Sequence, residues 1–574
     1  MAKQFNSSAQ NLVYHLEVGV GPAILKTSLY ILFMGLMSLL YVATQYQGFH
    51  NAKAMDQAQL ARSFKETSTL NTRVIRPGDL RYLEEKGKLR AQPGTPLLAG
   101  QPDLVNAPGY PLLLGTIFKV FGTDFPATTG GKFSPEQWVI IPVNLLFCFI
   151  SGLFVYLIGR QLFSPRVAFT SVTIFFLSGQ LWAGAVEGTE ISFALLCFTF
   201  ASWCLISVLN ANVNGQASGL RLYLPVVFGA VSLCLLFLTR YGSLVVLPGY
   251  LMALFLGLKK RAWIPALLVL LVFAAGVAPW MLRNYAASGH PFGLATHYAL
   301  KGTLQDIFMR SYETIGEDNI SFFRGLVVRT LASTKDAFTF TEVPLGSGIA
   351  LCLFVVTYFY SFQRPAVKII RWMILCTYLL LILAAGIFGQ TQFEVAHILF
   401  PLVILYGTAF FYLMLDRMQI TVQIVSLGIV SLFVFLQALP LLVTLMPPKP
   451  SSYPPYRASD IVLITTPFEP YELVCTDMPW ATAWYGGQLS LYLPATVDQF
   501  FTIHDRLQPV KGLYFTMLSR NLPYQSELIR GNYQSWKPIM DLNPLPRGWP
   551  LMAGFPIRGG ESIILADRNR WRNE

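Results

Sequence analysis

Residues 262–282 read AWIPALLVLLVFAAGVAPWML, an apolar run without a charged side chain. A helix of about 20 apolar residues is long enough to cross the hydrocarbon core of a bilayer. The sequence therefore predicts that this run spans a membrane. Ten further runs predict ten further spans, at approximately 27–44, 138–158, 167–185, 191–209, 222–239, 242–258, 346–362, 370–388, 395–415 and 420–445.

The composition agrees with a chain that has the bilayer as its main solvent. Hydrophobic residues make up 54% of the 574 residues, charged residues make up 13%, and the mean hydropathy is +0.50. A soluble domain of this length could not bury so much apolar surface. The net charge of +12 comes from basic residues scattered at the edges of predicted loops. This pattern favours membrane lipid as a partner, and it lacks the basic stripe of a nucleic-acid-binding protein.

The basic residues also predict which side of the membrane each loop faces. Cytoplasmic loops of membrane proteins are enriched in lysine and arginine. With a cytoplasmic N-terminus and eleven spans, the short cytoplasmic loops carry Arg160 and Arg166, Arg221, Lys259 to Arg261, Arg364 to Arg371, and Arg417. The short loops on the other side, 187–190 and 390–397, carry acids or little charge. We therefore expect a multi-pass protein of the cell (inner) membrane.

This topology divides the chain into three parts. Residues 1–26 are predicted to be a cytoplasmic N-terminal segment, residues 27–445 a membrane domain, and residues 446–574 an extracytoplasmic C-terminal domain. Two large loops of the membrane domain, 45–137 and 283–345, are expected on the outer side together with the C-terminal domain. Such an asymmetric distribution indicates chemistry at the outer leaflet.

Shorter segments predict local structure outside the spans. The apolar stretch from Pro108 to Gly122 is too short for a span and predicts a helix that lies in the membrane interface. The runs 461–464 and 489–493 are rich in the aliphatic residues of strands. About 125 residues suffice for a small folded unit, so the C-terminal domain is predicted to be small and α/β.

Short motifs in the outer loops and at the span ends resemble those of a known family. They read Met55-Asp56-Gln57-Ala58-Gln59-Leu60-Ala61-Arg62, Ile75-Arg76-Pro77, Asn106-Ala107-Pro108-Gly109-Tyr110-Pro111-Leu112, Leu238-Thr239-Arg240-Tyr241 and Ala278-Pro279-Trp280-Met281-Leu282-Arg283-Asn284-Tyr285. In this order they resemble bacterial members of glycosyltransferase family 39, which includes protein O-mannosyltransferases and the aminoarabinose transferases of lipid A. The resemblance implies the GT-C fold, an all-α polytopic membrane domain with about eleven transmembrane helices here.

The resemblance also implies that Asp56 is the catalytic base. In an inverting transfer, the base takes the proton of an acceptor hydroxyl while that oxygen attacks the anomeric carbon and displaces polyprenyl phosphate. Family members often have Asp-Glu at this position, whereas Gln57 follows Asp56 in this chain. A structural alternative is that Asp56 is the N-cap of a helix over residues 58–64, since aspartate is favoured there.

The phosphate of a lipid-linked donor requires cations near the headgroups. Arg283 follows an aromatic belt at a predicted span end, and a guanidinium can hold a phosphate through two hydrogen bonds. Arg76, Arg240, His297 and Lys301 are further candidates in the same loops. The alternative for an arginine at a span end is that it extends toward the lipid headgroups.

Acidic residues at the outer span ends predict a second site. Glu187 and Glu190 flank a glycine turn, and Glu394 and His397 lie at another outer end. Acids there are costly unless they face water or a cavity, so they are candidates to hold the acceptor. They are also compatible with a divalent metal, although no ligand cluster in the sequence implies one. Exposure to water at a loop is the simpler alternative.

Together these features predict a membrane glycosyltransferase. Its donor would be a polyprenyl-phosphate-linked sugar and its acceptor a lipid, a protein or a glycan. The sequence has no Asp-x-Asp pair of the kind that holds the metal of nucleotide-sugar enzymes, which favours the lipid donor. Two alternatives stay open, a transporter or flippase of polyprenyl-linked sugars and a non-catalytic glycolipid-binding scaffold. The segment Asp477–Tyr485 combines an acid with three aromatic residues, which suits either sugar stacking or packing in a small core.

Overall fold

The computed structural model describes residues 21–89, 96–125, 133–215, 219–301, 305–313, 327–332, 334–335, 348–388, 390–446, 457–520, 528–531, 533–541, 545–557 and 562–571. The helices are α1 (Gly21–Gln45), α2 (Ala52–Thr67), α3 (Pro77–Glu85), α4 (Gly109–Val120), α5 (Ile141–Leu162), α6 (Pro165–Phe176), α7 (Gly179–Val186), α8 (Ile191–Val213), α9 (Leu220–Thr239), α10 (Val246–Leu258), α11 (Trp263–Ser288), α12 (Ala295–Lys301), α13 (Gln305–Arg310), α14 (Gly348–Val356), α15 (Pro365–Phe388), α16 (Phe400–Arg417), α17 (Gln423–Leu445), α18 (Ala458–Thr465), α19 (Pro479–Tyr485), α20 (Val497–Arg506) and α21 (Lys537–Met540).

Long apolar helices confirm the prediction of a polytopic membrane protein. In the described part of the chain, eight helical segments are long and apolar enough to cross a membrane, or nine if α6 and α7, which meet at 50°, form one bent span. All eleven predicted runs contain helix. The number of candidate spans is smaller than the eleven predicted runs for two reasons. Residues 241–288 hold two helices, α10 and α11, in one apolar segment, and α14 is shorter than a span.

Small residues let the bundle helices approach one another closely. A side chain added at Gly159 of α5 would lie 2.8 Å from the Cα atom of Ala168 in α6 and 2.8 Å from the side chain of Leu405 in α16. Helices in a bilayer associate through such close packing because lipid provides no hydrophobic driving force between them. The sequence of small and large residues therefore fixes how the spans, and with them their polar ends, are placed.

A six-stranded sheet lies outside the apolar helices, and its strand order is β1-β3-β2-β4-β6-β5. The strands are β1 (Val74–Ile75), β2 (Leu473–Thr476), β3 (Leu489–Tyr492), β4 (Val510–Phe515), β5 (Ala553–Ile557) and β6 (Ser562–Ala566). Strands β1, β3, β2 and β4 are parallel, whereas β6 is antiparallel to β4 and β5.

The edge strand β1 comes from the first predicted outer loop rather than from the C-terminal segment. Val74 is paired with Ser490 of β3, and the Ser490 amide donates a hydrogen bond of 2.8 Å to the carbonyl of Arg73. The α/β character of the C-terminal segment is confirmed, but its sheet is completed by a segment about 400 residues earlier in the chain. The domain boundary at residue 446 stays a prediction.

Three local predictions have clear outcomes. The segment 108–122 is helical, as expected, since it forms α4. The run 489–493 forms strand β3, as expected. The strand predicted at 461–464 is wrong, because these residues lie in helix α18. A short run of aliphatic residues fits a buried helix as well as a buried strand, and periodicity cannot separate the two.

Candidate active site

Asp56 lies in the second turn of helix α2, and its N-cap alternative is wrong. The helix begins one turn earlier, at Ala52, and its N-cap is Asn51, whose side chain accepts a hydrogen bond of 2.9 Å from the Lys53 amide. Side chains three residues apart on a helix share a face, so Lys53 and Asp56 point to the same side. The side chain of Asp56 is only 12% exposed.

Three side chains hold the Asp56 carboxylate. Arg76 Nη2 and Asn106 Nδ2 donate to Oδ2 at 2.6 and 2.9 Å, and Gln59 Nε2 donates to Oδ1 at 3.1 Å. A carboxylate oxygen can accept about two hydrogen bonds. Oδ1 therefore retains capacity for the hydroxyl of an incoming molecule, while Oδ2 is committed to orienting the group.

Arg76 is buried among three carboxylates. It follows strand β1 directly, and besides Asp56 its Nη1 atom lies 3.5 Å from Asp79 Oδ2 and 3.9 Å from Asp103 Oδ1. Burial raises the pKa of the Asp103 carboxyl to about 6, against the opposing effect of the Arg76 guanidinium. Burial likewise raises the pKa of Asp79, again against Arg76. Arg76 thus offsets part of the negative charge of a buried acidic cluster and fixes the orientation of Asp56.

A second ionic cluster lies beside the first. Glu190 is fully buried, and its Oε1 accepts from Lys53 Nζ and, at 3.3 Å, from Arg240 Nη1. Arg240 Nη2 also donates to Glu394 Oε2 at 2.7 Å. Burial by itself would raise the pKa of the Glu190 carboxyl, but Lys53 and Arg240 outweigh burial and hold that pKa below its ordinary value.

One cavity of about 460 Å³ joins the two clusters. It is lined from the first loop by Lys53, Asp56, Arg76 and Asn106, from the bundle by Arg240 and Glu394, from α12 by Tyr298 and from the C-terminal segment by Trp480 and Tyr492, among others. Its volume is in the range of about 300–1,000 Å³ that is typical of small-ligand sites. The cavity combines cations, a carboxylate with free acceptor capacity and aromatic walls.

Arg283 is placed differently from the other predicted phosphate ligands. It lies at the C-terminal part of α11, where its guanidinium stacks on Trp280 at 4.5 Å from the ring centre. It also donates to the backbone carbonyl of Asp103 at 2.5 Å and to that of Leu70 at 3.4 Å. Arg283 therefore secures the loop that carries Asp103, and it is not among the residues that line the cavity.

Of the two remaining cationic candidates, His297 is placed away from the cavity wall. His297 packs against the ring of Tyr82, with 6.0 Å between ring centres, and lies outside the lining. Lys301 ends helix α12, but its side chain lies outside the described residues.

The candidates for the second, acidic site also differ in whether they line the cavity. Glu187 caps the C-terminal end of α7 and is hydrogen-bonded to the side chain of Asn51, and burial raises the pKa of its carboxyl. His397 Nδ1 is 3.1 Å from the backbone oxygen of Glu394, and it lines a small apolar cavity with Glu190. Only Glu394 of the predicted acids lines the cavity of Asp56.

The site contains residues that the sequence did not single out. Asn106 lies inside a quoted motif but received no role. Asp79 and Asp103 contact Arg76, and Asp103 also accepts hydrogen bonds from the backbone and side chain of Asn106. Lys53 carried one usable signal, its position three residues before Asp56 on a helix. In the part of the chain that the structure describes, no three His, Cys, Asp or Glu residues are grouped so that they could hold a metal ion.

Solved structures of similar architecture include two kinds of membrane enzyme. The archaeal oligosaccharyltransferase AglB from Archaeoglobus fulgidus, in complex with an inhibitory peptide and a dolichol-phosphate, has a TM-score of 0.56 at 11% identity, over 96% of this chain and 75% of that one. The ArnT protein from Cupriavidus metallidurans, bound to undecaprenyl phosphate, has a TM-score of 0.55 at 11% identity, over 96% and 99% of the chains. A second structure of the Archaeoglobus fulgidus oligosaccharyltransferase, in complex with zinc and sulfate, has a TM-score of 0.55 at 11% identity, over 88% and 70%.

Neither a protein-family model nor a curated protein sequence matches this chain. The likeness therefore concerns architecture, and at 11% identity it shows the fold alone. One neighbour is named an oligosaccharyltransferase, and the structures of the two proteins include complexes with dolichol-phosphate and with undecaprenyl phosphate. This chain is a polytopic membrane protein with the GT-C fold and a small α/β unit beside its membrane helices.

Proposed function

We propose that this chain is a membrane glycosyltransferase that moves a sugar from a polyprenyl-phosphate carrier to an acceptor hydroxyl. The observation that carries the proposal is the cavity that an oriented carboxylate, Asp56, shares with two cations that are suited to phosphate, Lys53 and Arg240. The GT-C neighbours, which were solved with dolichol-phosphate and with undecaprenyl phosphate, support a lipid phosphate as the donor group.

Asp56 is proposed as the general base of an inverting transfer. Its Oδ2 atom is held by Arg76 and Asn106, so that the carboxylate cannot rotate freely. Its Oδ1 atom has acceptor capacity left for the acceptor hydroxyl. A base that is held in place in this way removes the proton as the oxygen attacks the anomeric carbon, and such a base typically contributes about 10²- to 10⁴-fold to the rate.

The donor phosphate is proposed to bind near Arg240 and Lys53. The Glu394 partner of Arg240 is 53% exposed, whereas Glu190 is buried. A phosphate that displaces this exposed carboxylate would leave Glu190 in place to orient both cations. The charge of the phosphate would then be stabilised at the end of span α9, at the level expected for a lipid headgroup. In this arrangement Arg76 and Arg283 would not contact the phosphate. Arg76 would fix Asp56, and Arg283 would fix the loop around Asp103. A direct phosphate contact by Arg283, His297 or Lys301 stays a prediction from the sequence.

The positive-inside pattern supports a site on the outer face of the cytoplasmic membrane. In that orientation the cavity lies at the outer leaflet, and the acceptor is a lipid, a protein or a glycan of the cell envelope. A resident metal has no role in this proposal, although zinc is present in one structure of the archaeal neighbour. The described residues of this chain offer no metal cluster.

The test is sugar transfer in membranes that contain either the native chain or Asp56→Asn, with a set of radiolabelled polyprenyl-phosphate sugars. We expect the variant to lose about 10²-fold or more of the transfer rate while it retains donor binding and thermal stability. Asp124→Asn is the matched control, because Asp124 lies in the same loop with its side chain 91% exposed. This control should transfer at the native rate.

The rival functions give different results in the same experiment. A glycolipid-binding scaffold would bind donor but transfer no sugar with either chain. A flippase would move the labelled lipid across the bilayer of a vesicle, and Asp56→Asn would leave the label on its carrier. Equal transfer by the native chain and Asp56→Asn would remove Asp56 from the mechanism.

A further inference from the structure

The carboxyl edge of the parallel sheet faces the cavity. Strands β1, β3 and β2 are neighbours and run parallel, so their carboxyl ends meet at one edge. Arg76 follows β1, Tyr492 ends β3, and Trp480 comes four residues after the end of β2, and all three line the cavity. In open α/β sheets, ligands characteristically bind outside the carboxyl ends of the strands.

Trp480 and Tyr492 form an aromatic wall at this edge. Their rings meet edge to face, with 5.7 Å between centres and 71° between planes. The other aromatic residues of the same segment, Trp484 and Tyr485, are 0% and 3% exposed and belong to the core. The aromatic segment 477–485 therefore serves two purposes, since one part packs the core while Trp480 stays half-buried at the cavity.

Tyr492 is held rigidly in this wall. Its hydroxyl donates to Asp306 Oδ1 at 2.7 Å and accepts from Arg310 Nη2 at 2.9 Å. The Arg310 guanidinium also lies over the ring, 4.3 Å from its centre. Both partners come from helix α13, which belongs to the second predicted outer loop. Because the ring is already fixed, a ligand that stacks on this wall would lose little affinity to ordering it.

The wall lines the same cavity as groups with a different chemistry. Asp56 and Arg76 contribute a hydrogen-bonded ion pair to the lining, whereas Trp480 and Tyr492 contribute aromatic rings. A saccharide ring has this same division, since its C–H faces are apolar and its hydroxyls are polar. A phosphate or a peptide hydroxyl would use the charged groups alone.

Resting on the function proposed above, we propose that Trp480 and Tyr492 form a subsite for a saccharide ring. The ring stacks on Trp480 and presents its hydroxyl or its anomeric carbon toward Asp56. Two sources supply the same chemistry: the sugar carried by the donor lipid, and a saccharide unit of the acceptor. In either case the C-terminal segment contributes directly to substrate recognition.

The first experiment measures saccharide binding without catalysis. The full chain in lipid nanodiscs is mixed with the methyl glycosides of glucose, mannose, galactose, arabinose and N-acetylglucosamine, and saturation-transfer NMR reports which ring protons contact the protein. We expect at least one glycoside to bind the native chain, Trp480→Leu to weaken its affinity about tenfold or more, and Trp480→Phe to restore most of it. Tyr471→Leu is the control, since Tyr471 is an exposed aromatic residue of the C-terminal segment.

The second experiment identifies the source of the ring. If undecaprenyl-phosphate glucose or mannose displaces the bound glycoside while undecaprenyl phosphate does not, the subsite holds the donor sugar. If the glycoside stays bound beside the sugar-bearing lipid, the subsite holds a saccharide of the acceptor. Both results support the subsite.

Two results would overturn the subsite. One is the absence of any glycoside signal with the native chain, and the other is equal binding by the native chain and Trp480→Leu. These results do not depend on the transfer reaction. If Asp56→Asn still transfers sugar, the proposed base fails, but the binding measurement at Trp480 is unchanged.

Discussion

Replacing Arg76 by methionine should destabilise the protein strongly while preserving the volume of the side chain. Arg76 lies 2.6 Å from Asp56, 3.5 Å from Asp79 and 3.9 Å from Asp103. With an effective dielectric constant of about 20, each contact corresponds to about 4–6 kcal/mol of gross attraction. Most of this is offset by the desolvation of the charged groups. Removing one partner of a buried ion pair nevertheless costs about 3–5 kcal/mol, because the remaining charges stay buried and unpaired.

The free energy of unfolding can be measured by titrating the purified chain from mild detergent into SDS and following tryptophan fluorescence. Arg81→Met is the matched control, since Arg81 lies in helix α3, which begins directly after Arg76, and makes partly exposed pairs with Glu84 and Glu85. Surface pairs of this kind contribute less than about 1 kcal/mol. We therefore expect the free energy of unfolding of Arg76→Met to be about 3–5 kcal/mol lower than that of the native chain, and the control to show a much smaller deficit.

The deficit of Arg76→Met should also depend on pH. Burial raises the pKa of Asp79 and Asp103, and Arg76 opposes both increases. Without Arg76, the two carboxyls should bind protons at a higher pH, which removes their unpaired charge. The deficit should therefore be smaller at pH 5 than at pH 8. An equal loss for Arg76→Met and Arg81→Met, or a deficit that is independent of pH, would refute the view that Arg76 offsets the negative charge of this cluster.

Two further predictions concern the loops around Asp56. Burial raises the pKa of Asp103 to about 6, against about 3.9 for an exposed aspartate. Between these two pH values the folded chain therefore binds more protons than the unfolded chain. Its stability should rise as the pH falls through this window. Asp103→Asn should flatten that dependence in thermal melts at pH 4.5 and 7, and an unchanged slope would contradict the assignment. Gly293→Ala should lower the melting temperature and slow sugar transfer, because the added carbon would lie 2.3 Å from the Leu104 carbonyl. Gly289→Ala, which has a similar positive φ but open space around it, should show only a small loss, and equal effects of the two variants would rule out the steric reason.

Several features of the fold could be predicted because they depend on local sequence. Hydropathy over about 20 residues places the spans, and all eleven predicted runs contain helix. The run at 461–464 shows the limit of this reasoning, because four aliphatic residues carry no period that separates helix from strand. The structure places them in helix α18.

The candidate site could be predicted only in part. Asp56 and Arg240 line one cavity with Glu394 and Arg76, so four of the residues that were singled out converge. Arg283 does not line it, since its aromatic belt and loop carbonyls engage its guanidinium. Its motif marks an arginine at a span end, but the motif could not show which partner the side chain reaches.

The sequence by itself determined that this chain is a multi-pass membrane protein built of apolar helices, and where polar loops interrupt them. Only the tertiary structure decided which polar groups meet. Asn106 reaches Asp56 across 50 residues, Arg240 reaches Glu394 across 154 residues, and strand β1 pairs with Ser490 across more than 400. Hydropathy and periodicity are properties of neighbouring residues, whereas these contacts depend on how closely the spans pack and on the register of the sheet.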